Sequence, residues 1–211
     1  LEKRFINAYA GRFPAWIEGY HLTLLTLVWS AGLLAFGALA HHSLHWLWLG
    51  SVMLAAQWFT DSFDGALGRL RDTGIPKWGY YMDHFLDFVF MGALVISYSF
   101  IVNDAARLHL FFFLLLFSSL WVNAFLDFAV TGAFKITQLG LGPTELRLLF
   151  IVLNGFIVFK GPGLLERWLP WVNVAMVAVV GLIVWRTQRA IWAIDMADKA
   201  ARPATQEDEQ D

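Results

Sequence analysis

The sequence predicts an all-α integral membrane protein, six transmembrane helices preceded by an N-terminal amphipathic helix in the interface. Composition and spacing predict it together. Of 211 residues, 58% are hydrophobic and only 15% charged, with a mean hydropathy of +0.57, too apolar for an ordinary soluble domain. Apolar stretches near 22–40, 46–63, 79–102, 108–130, 146–160 and 170–186 are each close to the ~20 residues a helix needs to cross the hydrocarbon. No linker-like run divides the chain and no internal repeat is visible, so one catalytic domain is expected over 21–190.

Residues 1–20 come first. Phe5, Ile6, Tyr9, Phe13, Trp16 and Ile17 recur at helical spacing, with Lys3, Arg4, Asn7 and Arg12 between them, the pattern of a helix lying in the headgroup region. Pro14 is the residue that would split it, leaving a basic leader instead. No signal-like apolar run with a small-residue cleavage site is present, so a secreted precursor is not expected. Among the six spans the second and fifth carry charge at their ends, and the fifth is short. Lys and Arg set the orientation: Arg69, Arg71, Lys77, Lys135, Arg147, Arg186 and Arg189 fall on the side of both termini, against Arg107, Lys160 and Arg167 on the other. The positive-inside rule puts the termini and the 70–78 loop in the cytoplasm. Residues 191–211 read as a cytoplasmic tail whose end, with Pro203, Glu207, Asp208, Glu209 and Asp211, has no apolar face.

Composition also excludes. A net charge of −2 argues against a nucleic-acid partner, and the absence of Cys removes thiolate catalysis and zinc-thiolate sites, leaving oxygen or imidazole to hold any metal.

The chemistry is concentrated between 61 and 87. Asp61, Asp64, Gly65 and Gly68 are spaced i, i+3, i+4 and i+7, so they share one helix face; Gly79, Asp83 and Asp87 share another on the next helix. Ionised groups inside a bilayer are unfavourable by several kcal/mol, so four carboxylates at matched depth imply a polar cavity with cations and an anionic ligand. Hard oxygen donors select Mg²⁺, Mn²⁺ or Ca²⁺, and four can hold one or two ions. The glycines either admit a bulky ligand or serve helix packing, and Arg69 either forks onto a phosphate or marks topology. A divalent-cation transporter is the competing class, but it predicts carboxylates spread across the membrane. These acids lie near one side, and Asp127, a helical turn after Asn123, falls at the same depth.

Asp61-x-x-Asp64-Gly65-x-x-Gly68-Arg69 followed by Gly79-x-x-x-Asp83-x-x-x-Asp87 resembles the signature of the CDP-alcohol phosphotransferases, also called CDP-alcohol phosphatidyltransferases, which make phospholipid headgroup linkages. Leu22-Thr23-Leu24-Leu25 is similar to the family's first-span opening, so the resemblance runs from about 20 to 155. Departures are Gly68 where the family usually has Ala, a spacer between Arg69 and Gly79 one residue longer than the commonest form, and Tyr20-His21 in place of Pro-Asn.

The resemblance implies Mg²⁺ or Mn²⁺, one or two ions, on Asp61, Asp64, Asp83 and Asp87. It implies CDP binding by Asp61, Gly65, Gly68, Arg69 and Gly79, with Asp127, Lys135 and Arg147 toward the acceptor. Asp127 either lines that pocket or pairs with Arg147. Asp83-His84 with Asp87, and Thr144-Glu145, are similar to the choline/ethanolamine branch, where that His and Glu activate the acceptor hydroxyl. Asp87 is the other base, and His84 could equally be an interfacial hydrogen-bonding residue. The implied reaction transfers a phospho-alcohol group from a CDP-alcohol to an acceptor hydroxyl and releases CMP. At least one substrate is a lipid, and a homodimer is implied by the same resemblance.

Overall fold

The computed structural model describes Ile6 and residues 9–132 and 143–201. Among the described residues there is no strand; six α-helices follow in order: α1 (Gly19–Ala40), α2 (Leu47–Arg71), α3 (Pro76–Ser99), α4 (Asp104–Thr131), α5 (Pro143–Lys160) and α6 (Gly163–Ala201). Their starts are written locally. Glu18 and His21 form a reciprocal capping box at α1, Pro76 takes the first position of α3 where its missing N–H costs nothing, and Asn103 Oδ1 accepts from Ala106 N at 2.9 Å to open α4. Asp72, in the left-handed region at φ 54°, ends α2, and only a few residues separate it from α3. So short a turn sends α3 back beside α2, which brings the two acidic faces to one end of the bundle.

Three helices, α1, α4 and α6, are long and apolar enough to cross a membrane. The other three carry charged side chains along their length: Asp61, Asp64, Arg69 and Arg71 in α2, Lys77, Asp83 and Asp87 in α3, Glu145, Arg147 and Lys160 in α5. The last helix differs most from expectation. It runs 39 residues, past 190/191 and on to Ala201, because Arg, Gln, Ala, Met and Lys continue the helix and no proline lies between Pro170, within it, and Pro203. At 1.5 Å per residue that is about 58 Å, nearly twice the hydrocarbon thickness.

α1 packs on α2 and α3, α2 also on α5, α3 on α4, and α4 on α6. Leu33, Leu54, Phe90, Leu94 and Ile157 fill the shared core. Within it Asn154 of α5, almost fully buried, accepts the Tyr98 hydroxyl at 2.7 Å and donates to Ser51 Oγ at 3.0 Å, tying α2, α3 and α5 together. Outward faces are strongly apolar, with Leu108, Leu115, Leu126, Val152 and Phe159 all exposed, a surface suited to hydrocarbon rather than water.

Only part of the expected interfacial helix lies among the described residues. There the chain makes a 3₁₀ turn at Ala10–Arg12, turns extended at Phe13 and enters α1 at Gly19. Ile6, Phe13 and Ile17 pack against the buried cluster of Leu22, Phe63, Ala66 and Leu67, while Trp16 points outward, 75% exposed. The apolar residues of this segment are thus divided between the protein and its surroundings.

One close helix approach lies at Gly37, where an added Cβ would stand 2.6 Å from Ser97 Cβ and 2.8 Å from its Cα. Gly37→Leu should destabilise the protein by about 1–3 kcal/mol or more, because backbone must move to admit the side chain. Gly181→Ala, where a Cβ meets nothing within 4 Å, should be neutral or slightly stabilising in the same thermal melts in detergent.

Candidate functional site

Asp61 on α2 and Asp83 and Asp87 on α3 each bring a carboxylate oxygen within 4.8 Å of the other two. Turning back through the short 72–75 connection is what sets them face to face. Buried Arg147 enters from α5: its Nη2 lies 3.0 Å from Asp61 Oδ2 and 3.5 Å from Asp87 Oδ1. Of the residues that might pair with this arginine, the structure brings Asp61 and Asp87 to it rather than Asp127. Gln57, one helical turn before Asp61 and fully buried, donates its Nε2 to Asp87 Oδ1 at 2.9 Å. Its Oε1 is also buried and has no hydrogen-bond partner among the described residues. Asp87 Oδ1 therefore takes both donors, which orients the carboxylate.

Asp64 stands apart from that triad. It accepts the Thr23 hydroxyl at 2.6 Å and the backbone N–H of Gly65, and it faces a cavity of about 480 Å³ between the start of α1, the end of α2 and the start of α3. The volume is in the range of small-molecule sites. Gly65, Gly68, Arg69, Gly79, Asp83 and His84 line it as well, so five of the residues the resemblance assigns to donor and metal binding meet at one opening with Asp64. A Cβ at Gly79 would meet nothing within 4 Å, so the glycine leaves free space on the cavity side. At Gly68 the case is different: a Cβ would lie 3.3 Å from Gly74 Cα, in the loop that is one residue longer than usual. A methyl there would require the loop to give by a few tenths of an ångström.

His84 places Nδ1 2.8 Å from the Tyr80 carbonyl and 3.6 Å from Asp83 Oδ2. A carbonyl accepts, so Nδ1 carries the hydrogen and Nε2 the lone pair that can take a proton. Glu145 is exposed in the first turn of α5, and no hydrogen bond or ion pair joins it to His84. Asp127 is half-buried near the end of α4, its backbone carbonyl accepting from Thr131 at 2.7 Å. Lys135 lies outside the described residues.

Sequence alone did not single out Gln57 on the triad, nor Trp78 and Tyr80 in the cavity wall. Gln57 had a signal. It stands at i−4 to Asp61 on the acidic stripe, and an amide within an apolar run needs a partner. For the aromatic residues, periodicity carries no such mark.

The donor set fits a divalent ion. Three convergent carboxylates with Asp64 beside them supply only hard oxygen ligands, the set that Mg²⁺ and Mn²⁺ accept, and no described thiolate or imidazole cluster competes for a softer metal.

The model of the CDP-alcohol phosphatidyltransferase family matches residues 20–185. The chain belongs to that family, and membership makes it a transferase of phospholipid synthesis that moves a phospho-alcohol group. Three apolar helices long enough to span, in a family of membrane enzymes, make it an integral membrane protein. No curated protein and no solved structure matches the chain significantly.

Arg147→Leu removes the one described cation that pairs with Asp61 and Asp87. Leaving two largely buried carboxylates without it should cost about 3–5 kcal/mol, read as a lowered melting temperature in EDTA, and Arg147→Lys should recover part of the loss.

Proposed function

We propose that the protein transfers the phospho-alcohol group of a CDP-alcohol to an acceptor hydroxyl with release of CMP, at a site open to the cytoplasm. The observation that carries this reading is the position of Asp83, which belongs at once to the carboxylate triad and to the wall of the adjoining cavity. A nucleotide in that cavity has its diphosphate beside the acids.

Asp61, Asp83 and Asp87, with Asp64, would hold one or two Mg²⁺ or Mn²⁺ ions. When bound, such an ion neutralises charge on the reacting phosphoryl group and on the departing CMP. Arg69, exposed on the cavity wall, reaches a phosphate oxygen with its guanidinium fork. The acceptor hydroxyl attacks the phosphorus that bears the alcohol; the new P–O bond forms as the bond to the CMP oxygen breaks, and the hydroxyl proton passes to a side chain. Asp87 receives it, or His84 at Nε2, with Glu145 assisting as in the choline/ethanolamine branch. Gln57 and Arg147 both engage Asp87 Oδ1, which leaves Oδ2 for that role or for a metal. No intermediate on the protein is needed.

Six spans complete the reading, with both termini and the acidic end of the bundle in the cytoplasm and the N-terminal segment along the interface. The asymmetry of Lys and Arg supports this orientation. Lipid tails then reach the site between helices from the bilayer.

Purified protein given labelled CMP and crude membrane lipids, which supply the transfer product, should form labelled CDP-alcohol by reversal, which tests the donor class without knowledge of the acceptor. EDTA should abolish this labelling and Mg²⁺ or Mn²⁺ restore it. Asp61→Asn and Asp83→Asn should each be inactive yet folded, since the amide keeps the shape and loses the charge; full metal-dependent activity in either would sink the proposal.

The proton acceptor is separable from the metal site. If His84 and Glu145 activate the acceptor, His84→Ala and Glu145→Gln should slow net transfer by about 10²- to 10⁴-fold while CDP-alcohol binding stays near normal. Calorimetric titration beside a CMP-release assay reads both quantities, and near-normal rates in both variants would leave Asp87 as the base.

A further inference from the structure

Arg69 and Arg71 sit two residues apart at the end of α2, about 200° apart around the helix, and they face different surroundings. Arg69 lines the cavity; Arg71 does not. Instead the Arg71 guanidinium donates to four backbone carbonyls of the segment before α1: Phe13 at 2.8 Å, Pro14 at 3.0 Å, Ala15 at 3.3 Å, and Ile17. That segment is neither helix nor strand from Phe13 to Glu18, so most of its carbonyls have no regular partner, and a forked donor with five N–H groups is suited to collect them.

The clamp sits where the cavity needs it. Two residues past Ile17, Gly19 presses so closely on α2 that an added Cβ would lie 2.5 Å from the Asp64 carbonyl oxygen. Thr73, just beyond Arg71, donates its hydroxyl to Glu18, and Thr23 donates to Asp64. Gly19, Tyr20 and Thr23 form one wall of the cavity, with Asp64 and Gly65 on the opposing helix. The 13–18 segment therefore leads directly into the α1 wall of the cavity.

We infer that Arg71 is a positioning residue for the nucleotide site: it binds no substrate, and it fixes the α1 wall of the cavity by holding the backbone of residues 13–17 against α2. The inference rests on the donor-site reading above. A wall held in place before the ligand arrives lowers the ordering cost of binding, so loss of the clamp weakens nucleotide affinity without touching any group that contacts the nucleotide.

The test uses the full chain in detergent with Mn²⁺, CDP as the calorimetric probe, and hydrogen exchange of the backbone amides. Arg71→Gln removes charge and fork; Arg71→Lys keeps the charge, loses the fork and is the milder variant if the first folds poorly. Both should bind CDP about tenfold more weakly, with faster exchange confined to residues 13–20 and a maximal rate of CDP-alcohol formation from labelled CMP within about twofold of wild type, a split between affinity and turnover that general unfolding would not produce. Wild-type CDP affinity in Arg71→Lys, or unchanged exchange at 13–20, overturns the inference. A wild-type protein that binds no CDP overturns the donor-site reading itself, and the inference with it.

Discussion

The structure depends on gathering like charge in an apolar bundle. Asp61, Asp83 and Asp87 repel one another at the distances found here, and each loses hydration on entering the helix packing. Two neighbours offset this. Arg147 supplies a buried positive charge between Asp61 and Asp87, and Gln57 supplies a neutral donor to Asp87. These contacts join α2, α3 and α5, and the Asn154 network joins the same three helices deeper in the core. Because a buried ion pair is often no more stable than a hydrophobic substitute, its presence is better understood through the site than through fold stability. It keeps a set of carboxylates convergent that would otherwise separate.

The two halves of the site have different supports. The triad is held by side chains deep between helices, where packing leaves little freedom. The cavity beside it is held at its rim, by a turn at Asp72, a loop folded onto Gly68 and a non-helical segment fastened through backbone carbonyls. Rims of this kind are the parts of a protein that open most easily, because their hydrogen bonds are few and partly exposed. Such a division suits the nucleotide exchange proposed above, in which the rim opens while the charged groups stay in register. Asp83 lies at the junction of the two, in the triad and in the cavity wall alike.

The match to the CDP-alcohol phosphatidyltransferase family spans the helices that carry these acids, and around them the chain departs from the signature it resembles. Gly68 lies close against the loop that follows, where an added Cβ would meet Gly74 Cα at 3.3 Å. His21, at a position where the family usually has Asn, accepts the Glu18 N–H through Nδ1 at 2.9 Å and helps start α1, while Tyr20 beside it faces the cavity. The first helix is thus opened by other means and meets the acidic helix at the same place.

The helical class, the approximate helix positions and the shared faces of the acids were legible in the sequence by itself, for one reason: each depends on periodicity along a single element. Apolar runs mark helices in hydrocarbon, and i, i+3, i+4 spacing decides which side chains share a stripe whatever the helix packs against. Tertiary structure alone decided which stripes meet. That Arg147 turns to Asp61 and Asp87, that Asp64 parts from the triad toward Thr23, and that Glu145 stays exposed two residues from a buried arginine all depend on how four helices, α1, α2, α3 and α5, cross. The separate fates of Arg69 and Arg71 depend on a segment more than fifty residues earlier that folds beneath only one of them. Local spacing cannot carry such information, because a side chain's partner across a packing interface is set by the position of another helix and not by its own sequence neighbours.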